Sequence, residues 1–365
     1  MHESTSDPLM LSVCETAQGG VGRYQEGLRA LSDVGFRSVI LIPDRDAGIL
    51  EHTDSVRTFR RERRSVAGFL RLLGAFFAER RRLRPDLYFF NSTFTLLPLL
   101  ALRLRGDRTP AIYCAHCWAI SNYAEGSLKG KIVRAVEGRL CGLADLVVNV
   151  SHGDAALAKR LGYRGRHVVV ENAVPDRAEP VSGTRFVRAS ETEIHLMFVG
   201  RFDRQKGLDV LLSAFGRARI DAPHLRLHLV GSPVRGTEIP VLPEGVTHHG
   251  WISAREIDGY YASADAVVVP SRWEGLPLIV PEALRNGTPV YVSDRSDMGA
   301  LVEPGVTGGV FGLTEMALAD CLSSLERSRL QAMRPAARAS YEDRFAMKRF
   351  LSEMSTHLNA LPGRA

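Results

Sequence analysis

Residues Ala264–Asp294 read ADAVVVPSRWEGLPLIVPEALRNGTPVYVSD. Ala266–Val269 is a short, wholly apolar run, the pattern of a strand buried on both faces of a parallel sheet. Pro270–Ser271 ends it. A turn carries Glu274 and Gly275, and a helix then starts near Leu278 and contains Glu282. Asn286–Gly287 closes that helix, Gly being the usual residue just past a C-terminus, and Pro289–Val292 is the next strand. The two carboxylates thus fall on a loop and on a first helical turn at the carboxyl end of a parallel strand, the edge where open α/β sheets bind ligands. A helix N-terminus favours phosphate, and a carboxylate there accepts hydrogen bonds from ribose hydroxyls. The pattern therefore suggests a nucleotide-bearing ligand rich in hydroxyls, such as a sugar. Glu274 and Glu282 also read as ordinary surface acids, since glutamate pairs are common.

The rest of the chain bounds this reading. At 365 residues it is long enough for two full cores, because single cores rarely grow beyond roughly 250–300 residues. An apolar content of 45% and a charged content of 24% are those of an ordinary globular protein. Cys14, Cys114, Cys117, Cys141 and Cys321 are odd in number and scattered, which argues for a reducing cytoplasm rather than a disulfide scaffold. Cys114-Ala-His-Cys117 has the look of half a metal site but lacks a second ligand pair. The first residues are polar and acidic, unlike a signal peptide, and no apolar run approaches the ~20 residues of a membrane span.

Charge is uneven. Residues 1–175 hold 25 Lys+Arg against 18 Asp+Glu, whereas the remainder holds 22 against 23. Arg57, Arg60, Arg61, Arg63 and Arg64, then Arg80, Arg81, Arg82 and Arg84, flank an apolar segment containing Phe69, Leu70, Leu72, Leu73, Phe76 and Phe77. That arrangement suits a helix lying on an anionic membrane; a packed helix with solvated basic ends is the alternative. Nucleic acid is not expected, because the segment lacks the interleaved stacking rings of such modules.

Strand and helix signals alternate along both halves, which implies parallel sheets with helices on both faces. In the first half, strands are expected at Leu9–Val13, Ser38–Ile42, Asp86–Phe90, Ala111–Cys114, Leu146–Val150 and His167–Val170. Helices are expected at Arg23–Val34, Leu96–Leu104 and Lys129–Cys141, with Ser151 capping another. Gly19 and Gly20 lie in a loop between the first strand and its helix, where backbone can approach a ligand closely. His116 lies just past a strand end, and a lone histidine there is most often structural. In the second half, Ile194–Val199 leads through Gly200-Arg201-Phe202-Asp203-Arg204-Gln205-Lys206-Gly207 into a helix to Phe215. Arg201 and Lys206 beside that helix start suit a pyrophosphate, or are solvated surface cations. Strands Leu225–Val230 and Val246–Trp251 follow, Tyr260 and Tyr261 read as helix packing, and Leu322–Leu358 reads as helical.

Several of these strings resemble one family. EG-LP-x4-EA-x3-GTPV resembles the Glu-x7-Glu signature of retaining glycosyltransferases of group 4, which have the GT-B fold; Pro281 stands where the family usually has an aliphatic residue. Gly200-Arg201-x4-Lys206-Gly207 resembles the family's diphosphate-binding motif, Glu303-Pro304-Gly305-Val306-Thr307-Gly308 its next loop, and Glu171-Asn172-Ala173-Val174-Pro175 its Asn-Gly-Val hinge with Ala173 replacing Gly. The likeness is strong over about 195–310 and weaker before 145.

The resemblance implies an α/β GT-B protein, two Rossmann-like doubly wound domains facing each other across a cleft. Residues 1–175 would form an acceptor domain, with a C-terminal helix at about 345–365 packing back on it, and 176–344 a donor domain. It implies metal-independent transfer of a sugar from a UDP- or GDP-sugar to a glycan or lipid-linked acceptor, with no separate cofactor. Glu274, His116, Arg201 and Lys206 would serve the reaction; Gly19, Gly20, Arg201, Lys206, Glu282, Gly275 and Leu276 would hold the donor. A cytoplasmic protein touching the inner face of the cell membrane, active in cell-surface polysaccharide or glycolipid synthesis, is the expectation. A sugar-nucleotide epimerase, a glycoside phosphorylase and a non-catalytic sugar-binding subunit are the alternatives.

Overall fold

The computed structural model describes residues 7–17, 19–49, 54–61, 65–177, 184–233 and 238–362. They form two compact units, one running up to Ala173 and resuming at Met347, the other spanning Val174–Ala346.

The first unit is built on a parallel sheet. In chain order its elements are β1 (Leu9–Cys14), α1 (Gly20–Arg29), β2 (Arg37–Pro43), β3 (Val56–Phe59), α2 (Val66–Leu83), β4 (Leu87–Asn91), α3 (Leu96–Leu104), β5 (Ala111–Cys114), α4 (Leu128–Leu140), β6 (Leu146–Asn149), α5 (His152–Leu161) and β7 (His167–Val169). The strand order is β3-β2-β1-β4-β5-β6-β7, every neighbour parallel. Leu11, Val13, Tyr88 and Phe90 of one sheet face pack with Leu72, Phe76, Leu96 and Leu99 of α2 and α3. Ser151 caps α5 as its position suggests, its Oγ accepting from the Asp154 N–H at 3.1 Å.

β3 has no counterpart in the sequence reading, because VRTF is short and carries a single buried residue, Phe59. α2 corrects another reading. Leu72 and Phe76 are buried in the core rather than free for a lipid surface. The arginines around them are largely paired: Arg57 and Arg82 with Glu79, Arg80 with Asp107, and Arg61 with Glu15. One face of α2 is therefore packed and four of the flanking arginines are paired, whereas Arg81 and Arg84, like Val66 and Leu70, are exposed; Arg63 and Arg64 lie outside the described residues.

The second unit contains β8 (Ile194–Val199), α6 (Leu208–Asp221), β9 (Leu225–Val230), β10 (Val246–His248), α7 (Ile257–Ser263), β11 (Ala266–Val269), α8 (Ile279–Arg285), β12 (Val290–Ser293), β13 (Gly308–Phe311), α9 (Glu315–Ser323) and α10 (Arg327–Ser340). Its parallel order is β10-β9-β8-β11-β12-β13. Leu196, Phe198, Leu227 and Val268 pack against Leu211 and Phe215 of α6 and Leu318 and Leu322 of α9. Pro281 sits in the first turn of α8, where its missing N–H leaves no intrahelical bond unmade. Gly287 closes that helix at φ 66°.

The C-terminal segment is not one helix. A π turn, Tyr341–Phe345, follows α10, and extended Ala346 precedes α11 (Met347–Asn359). Ala346 bridges Val174, whose N–H donates to the Phe345 carbonyl at 3.2 Å, so Val174 and Pro175 belong with the second unit. α11 returns to the first unit, where Phe350 packs edge-on against Tyr24 at 5.6 Å.

Two glycines fix the loops around the end of β8. A Cβ on Gly207 (φ 69°) would lie 1.9 Å from the Pro270 carbonyl oxygen, and one on Gly231 (φ 130°) would lie 1.8 Å from that of Gly200. Gly207→Ala and Gly231→Ala should each lower stability by at least ~2 kcal/mol, from clash and left-handed strain together. Gly19→Ala meets open space and so escapes the clash, but φ 62° with ψ −134° lies outside the left-handed helical well, and strain alone should cost about 1–3 kcal/mol, less than in the other two. Urea midpoints of the three variants check this ordering.

Candidate active site

β8 and β11 are neighbours from which the chain departs in opposite directions along the sheet, so their carboxyl ends form the topological switch point of the second unit. Gly200, at φ 151°, turns the chain out of β8 into Arg201 and the loop that ends at Lys206. Beside it, Pro270 turns the chain out of β11 toward Glu274. Arg272 joins the two loops: its N–H donates to the Gln205 carbonyl at 2.7 Å, and its guanidinium grips both carboxylate oxygens of Asp209 at 2.8 and 2.6 Å. That grip holds the Asp209 carboxyl below the usual range.

The join brings three expected residues into one network. Lys206 Nζ lies 2.6 Å from Glu274 Oε1. Gln205 Nε2 donates to the Trp273 carbonyl at 3.0 Å and reaches Glu274 Oε2 at 3.4 Å, while Arg201 Nη2 donates to Gln205 Oε1 at 3.2 Å. Asp203 faces Arg201 at 3.1 Å. The Lys206–Glu274 contact is nearly closed to solvent, and Arg201 stays more open. The loops thus offer two cations for an anion and one carboxylate for hydroxyls within a single ligand's reach. Gln205, which links them, escaped the sequence reading although it adjoins Lys206; its amide carries no charge signal.

Gly275 and Leu276 are buried beneath this loop. Glu282 stands apart on α8, and the Tyr261 hydroxyl of α7 donates to its Oε2 at 2.8 Å. Tyr261 therefore packs, as expected, and also orients a candidate site carboxylate. Tyr260 sets its ring edge against His249 at 5.2 Å.

In the first unit, Gly19 and Gly20 are exposed at the start of α1. His116, just past β5, occupies a left-handed conformation at φ 61°, followed by Cys117 at φ 139°; such strain concentrates at functional sites. Its Nε2 lies 2.9 Å from Asn91 Oδ1. Asn91 Nδ2 donates to Ser12 Oγ at 2.9 Å, and Ser12 Oγ donates to Gln25 at 2.6 Å. With the Asn91 amide so committed, its oxygen accepts, and the network assigns the proton to His116 Nε2. Burial pushes the imidazole down to about 3, so it is neutral at physiological pH, with Nδ1 left as an acceptor 3.7 Å from Cys114 Sγ. Burial raises the Cys114 thiol to about 12. Among the described residues no group of three or more His, Cys, Asp or Glu is placed to hold a metal ion. Glu137 of α4 is a further buried carboxyl that the sequence does not flag. It accepts from Thr93 Oγ1 at 2.7 Å, Tyr113 Oη at 3.2 Å and the Ala119 N–H at 3.1 Å, so it ties the turns after β4 and β5 to α4.

Two parallel-sheet Rossmann-like domains, with cations and carboxylate at the second one's switch point, make this a protein of GT-B architecture. Sucrose-phosphate synthase from Thermosynechococcus elongatus superposes with a TM-score of 0.79 at 19% identity, over 96% of this chain and 98% of its own. Anabaena HepE, solved with UDP and glucose, superposes with a TM-score of 0.78 at 18% identity, over 97% and 100%. Residues 18–177 match the family described as Glycosyltransferase Family 4, and 193–327 match Glycosyl transferases group 1. The chain belongs to this group 1, family 4 class of glycosyltransferases. An uncharacterized 41.2 kDa protein of the cps region of Klebsiella pneumoniae is 24% identical over 308 residues, covering 82% of this chain and 84% of its own.

The first unit's buried groups carry a pH signature. Burial raises Glu137 to about 7 from 4.5, so the stability it contributes is complete below pH 4.5 and is lost as pH rises through 7. His116 is lowered to about 3 from 6.5, so its contribution is complete above pH 6.5 and is lost as pH falls toward 3. The two oppose each other between 4.5 and 6.5. Glu137→Gln can keep all three hydrogen bonds, and at pH 8 should be the more stable protein by on the order of 3 kcal/mol. Urea unfolding of both proteins at pH 5 and pH 8 checks this; parallel pH dependences would refute it.

Proposed function

We propose that this glycosyltransferase moves a hexosyl group from a UDP- or GDP-sugar to a hydroxyl of a glycan or lipid-linked acceptor, with retention and without a metal. The observation that carries the reading is the Lys206–Glu274 contact at 2.6 Å, with Arg201 tied to it through Gln205. A ligand reaching this point meets cations for a diphosphate and a carboxylate for sugar hydroxyls together.

In this reading the bond between the sugar's anomeric carbon and the diphosphate oxygen breaks, and the nucleoside diphosphate leaves with the electron pair. Arg201 and Lys206 stabilise the charge that develops there as preorganised cations. The acceptor hydroxyl attacks the oxocarbenium-like carbon from the face the leaving group departs, and its proton passes to the departing phosphate oxygen. Glu274 orients the sugar hydroxyls, and Glu282, held by Tyr261, takes the ribose. Gly275 and Leu276 shape the floor of the donor site. Gly19, Gly20 and neutral His116 serve the sugar and acceptor side, His116 with Nδ1 as acceptor.

HepE's bound UDP favours a uridine donor. The cps-region relative favours an acceptor in cell-surface polysaccharide synthesis. In this reading the enzyme works at the cytoplasmic face of the membrane, in peripheral contact with anionic lipid. Among the described residues no helix is long and apolar enough to cross a membrane.

Nucleotide release from UDP-, GDP- and ADP-sugars, with membrane glycolipid as acceptor and EDTA present, tests the reading. Release is expected from one donor. Glu274→Ala and Lys206→Ala should each lower kcat/KM by about 10²–10³, the usual cost of removing one preorganised electrostatic contact. Gln205→Ala should lower it by roughly tenfold, and Tyr261→Phe should raise the donor KM more than it lowers kcat. Sugar phosphate formed from inorganic phosphate, with no nucleotide turnover, would instead make the enzyme a phosphorylase.

A further inference from the structure

α4 is built inside out. It buries Gly130, Glu137 and Gly138, while Leu128, Ile132 and Val136 stand 74%, 55% and 46% exposed. Four residues apart, these three form one stripe along the helix. The helix is not free to roll them inward. A Cβ on Gly138 would lie 2.5 Å from the Tyr163 ring, and one on Gly130 would lie 3.3 Å from Ile120 Cδ1 and from Tyr123 Cβ. The three hydrogen bonds to Glu137 pin the same buried face.

Cations surround the stripe. Lys129, Lys131, Arg134 and Arg139 of α4 are exposed, as are Lys159, Arg160, Arg164 and Arg166 beyond it. Arg134 and Arg139 bond backbone carbonyls, and among the described residues none of the eight makes an ion pair. Glu137 and Asp154 are buried, and Asp145 is held by Arg103 at 2.7 Å, so Glu125 is the exposed acid of the stretch 123–166. A groove of about 530 Å³ beside the stripe is lined by Lys131, Arg134, Arg139 and Arg164 together with Tyr163.

We propose that the outer face of α4, with the cationic groove beside it, is the surface on which this protein seats against an anionic lipid bilayer. The inference rests on the peripheral membrane contact of the proposed function and moves its location from α2 to α4. An aliphatic stripe edged by lysine and arginine matches a bilayer's apolar boundary and anionic headgroups at once. A second copy packed here about a two-fold axis would bring the same cations against one another. A nucleic acid would reward stacking rings, and the stripe is aliphatic.

Flotation of the full chain with phosphatidylglycerol–phosphatidylcholine vesicles tests this. At about 50 mM salt, where screening is weak, the wild type should float with mixed vesicles and not with phosphatidylcholine alone. Lys131→Gln and Arg134→Gln should each lower the bound-to-free ratio about fivefold, and Ile132→Ser with Val136→Ser roughly tenfold or more. Leu70→Ser, on the exposed side of α2, should leave it unchanged. Donor hydrolysis without vesicles should be the same in all variants and reports an intact fold. If the wild type floats and only Leu70→Ser releases it, the membrane reading survives and this face is the wrong one. A wild type that stays with the soluble fraction overturns both. A dimer that Ile132→Ser dissolves assigns the face to a second copy and overturns the proposal.

Discussion

The Gly207 backbone lies against the Pro270 carbonyl so closely that no side chain fits between them; a Cβ there would stand 1.9 Å from the oxygen. That contact joins the loop after β8 to the loop after β11. From it follow the reach of Lys206 to Glu274, the bridging position of Gln205, and the Arg272–Asp209 latch that keeps the loops in register. The glycine at 231, pressed on the Gly200 carbonyl, does the same one strand further along. Charge placement at the switch point is thus set by backbone sterics before any side chain interacts.

The first unit solves a different problem. Its candidate site sits over buried polar groups, and each must be satisfied where water cannot help. Gln25, Ser12, Asn91 and His116 form one directed chain of hydrogen bonds, and the direction decides which imidazole nitrogen carries the proton. Ser92, His116 and Cys117 all hold positive φ around the same strand ends. The sheet supplies the rigidity that maintains them.

Legibility followed periodicity and chemistry. The wholly apolar run AVVV marked β11, and β8 and β9 were marked by apolar residues recurring around His195, Arg226 and His228, all with bounds that match the structure. Arg201, Lys206, Glu274 and Glu282 stood out through the strings around them, which resemble the family's motifs; as isolated charges they read equally as surface groups. β3 was too short to register. α2 was ambiguous, because an amphipathic helix flanked by arginines looks alike whether it lies on lipid or on its own core, and only the structure shows Leu72 and Phe76 buried and Arg57, Arg80 and Arg82 paired. The break at Ala346 was hidden because helical residues continue on both sides of it, and the bridge to Val174 is a contact across 172 positions of sequence.

By itself, the sequence determined the two parallel sheets, the loops that carry the site charges and the family to which they belong. These are local properties: hydrophobic period, glycine spacing and the residues next to strand ends. The tertiary structure alone decided that Lys206 meets Glu274, that Tyr261 orients Glu282, that Glu137 is buried and that α4 turns its aliphatic residues outward. Each of these depends on which elements become neighbours and on how closely their backbones approach. Close approach is enforced by excluded volume between segments far apart in the chain, and no window of sequence contains both sides of it.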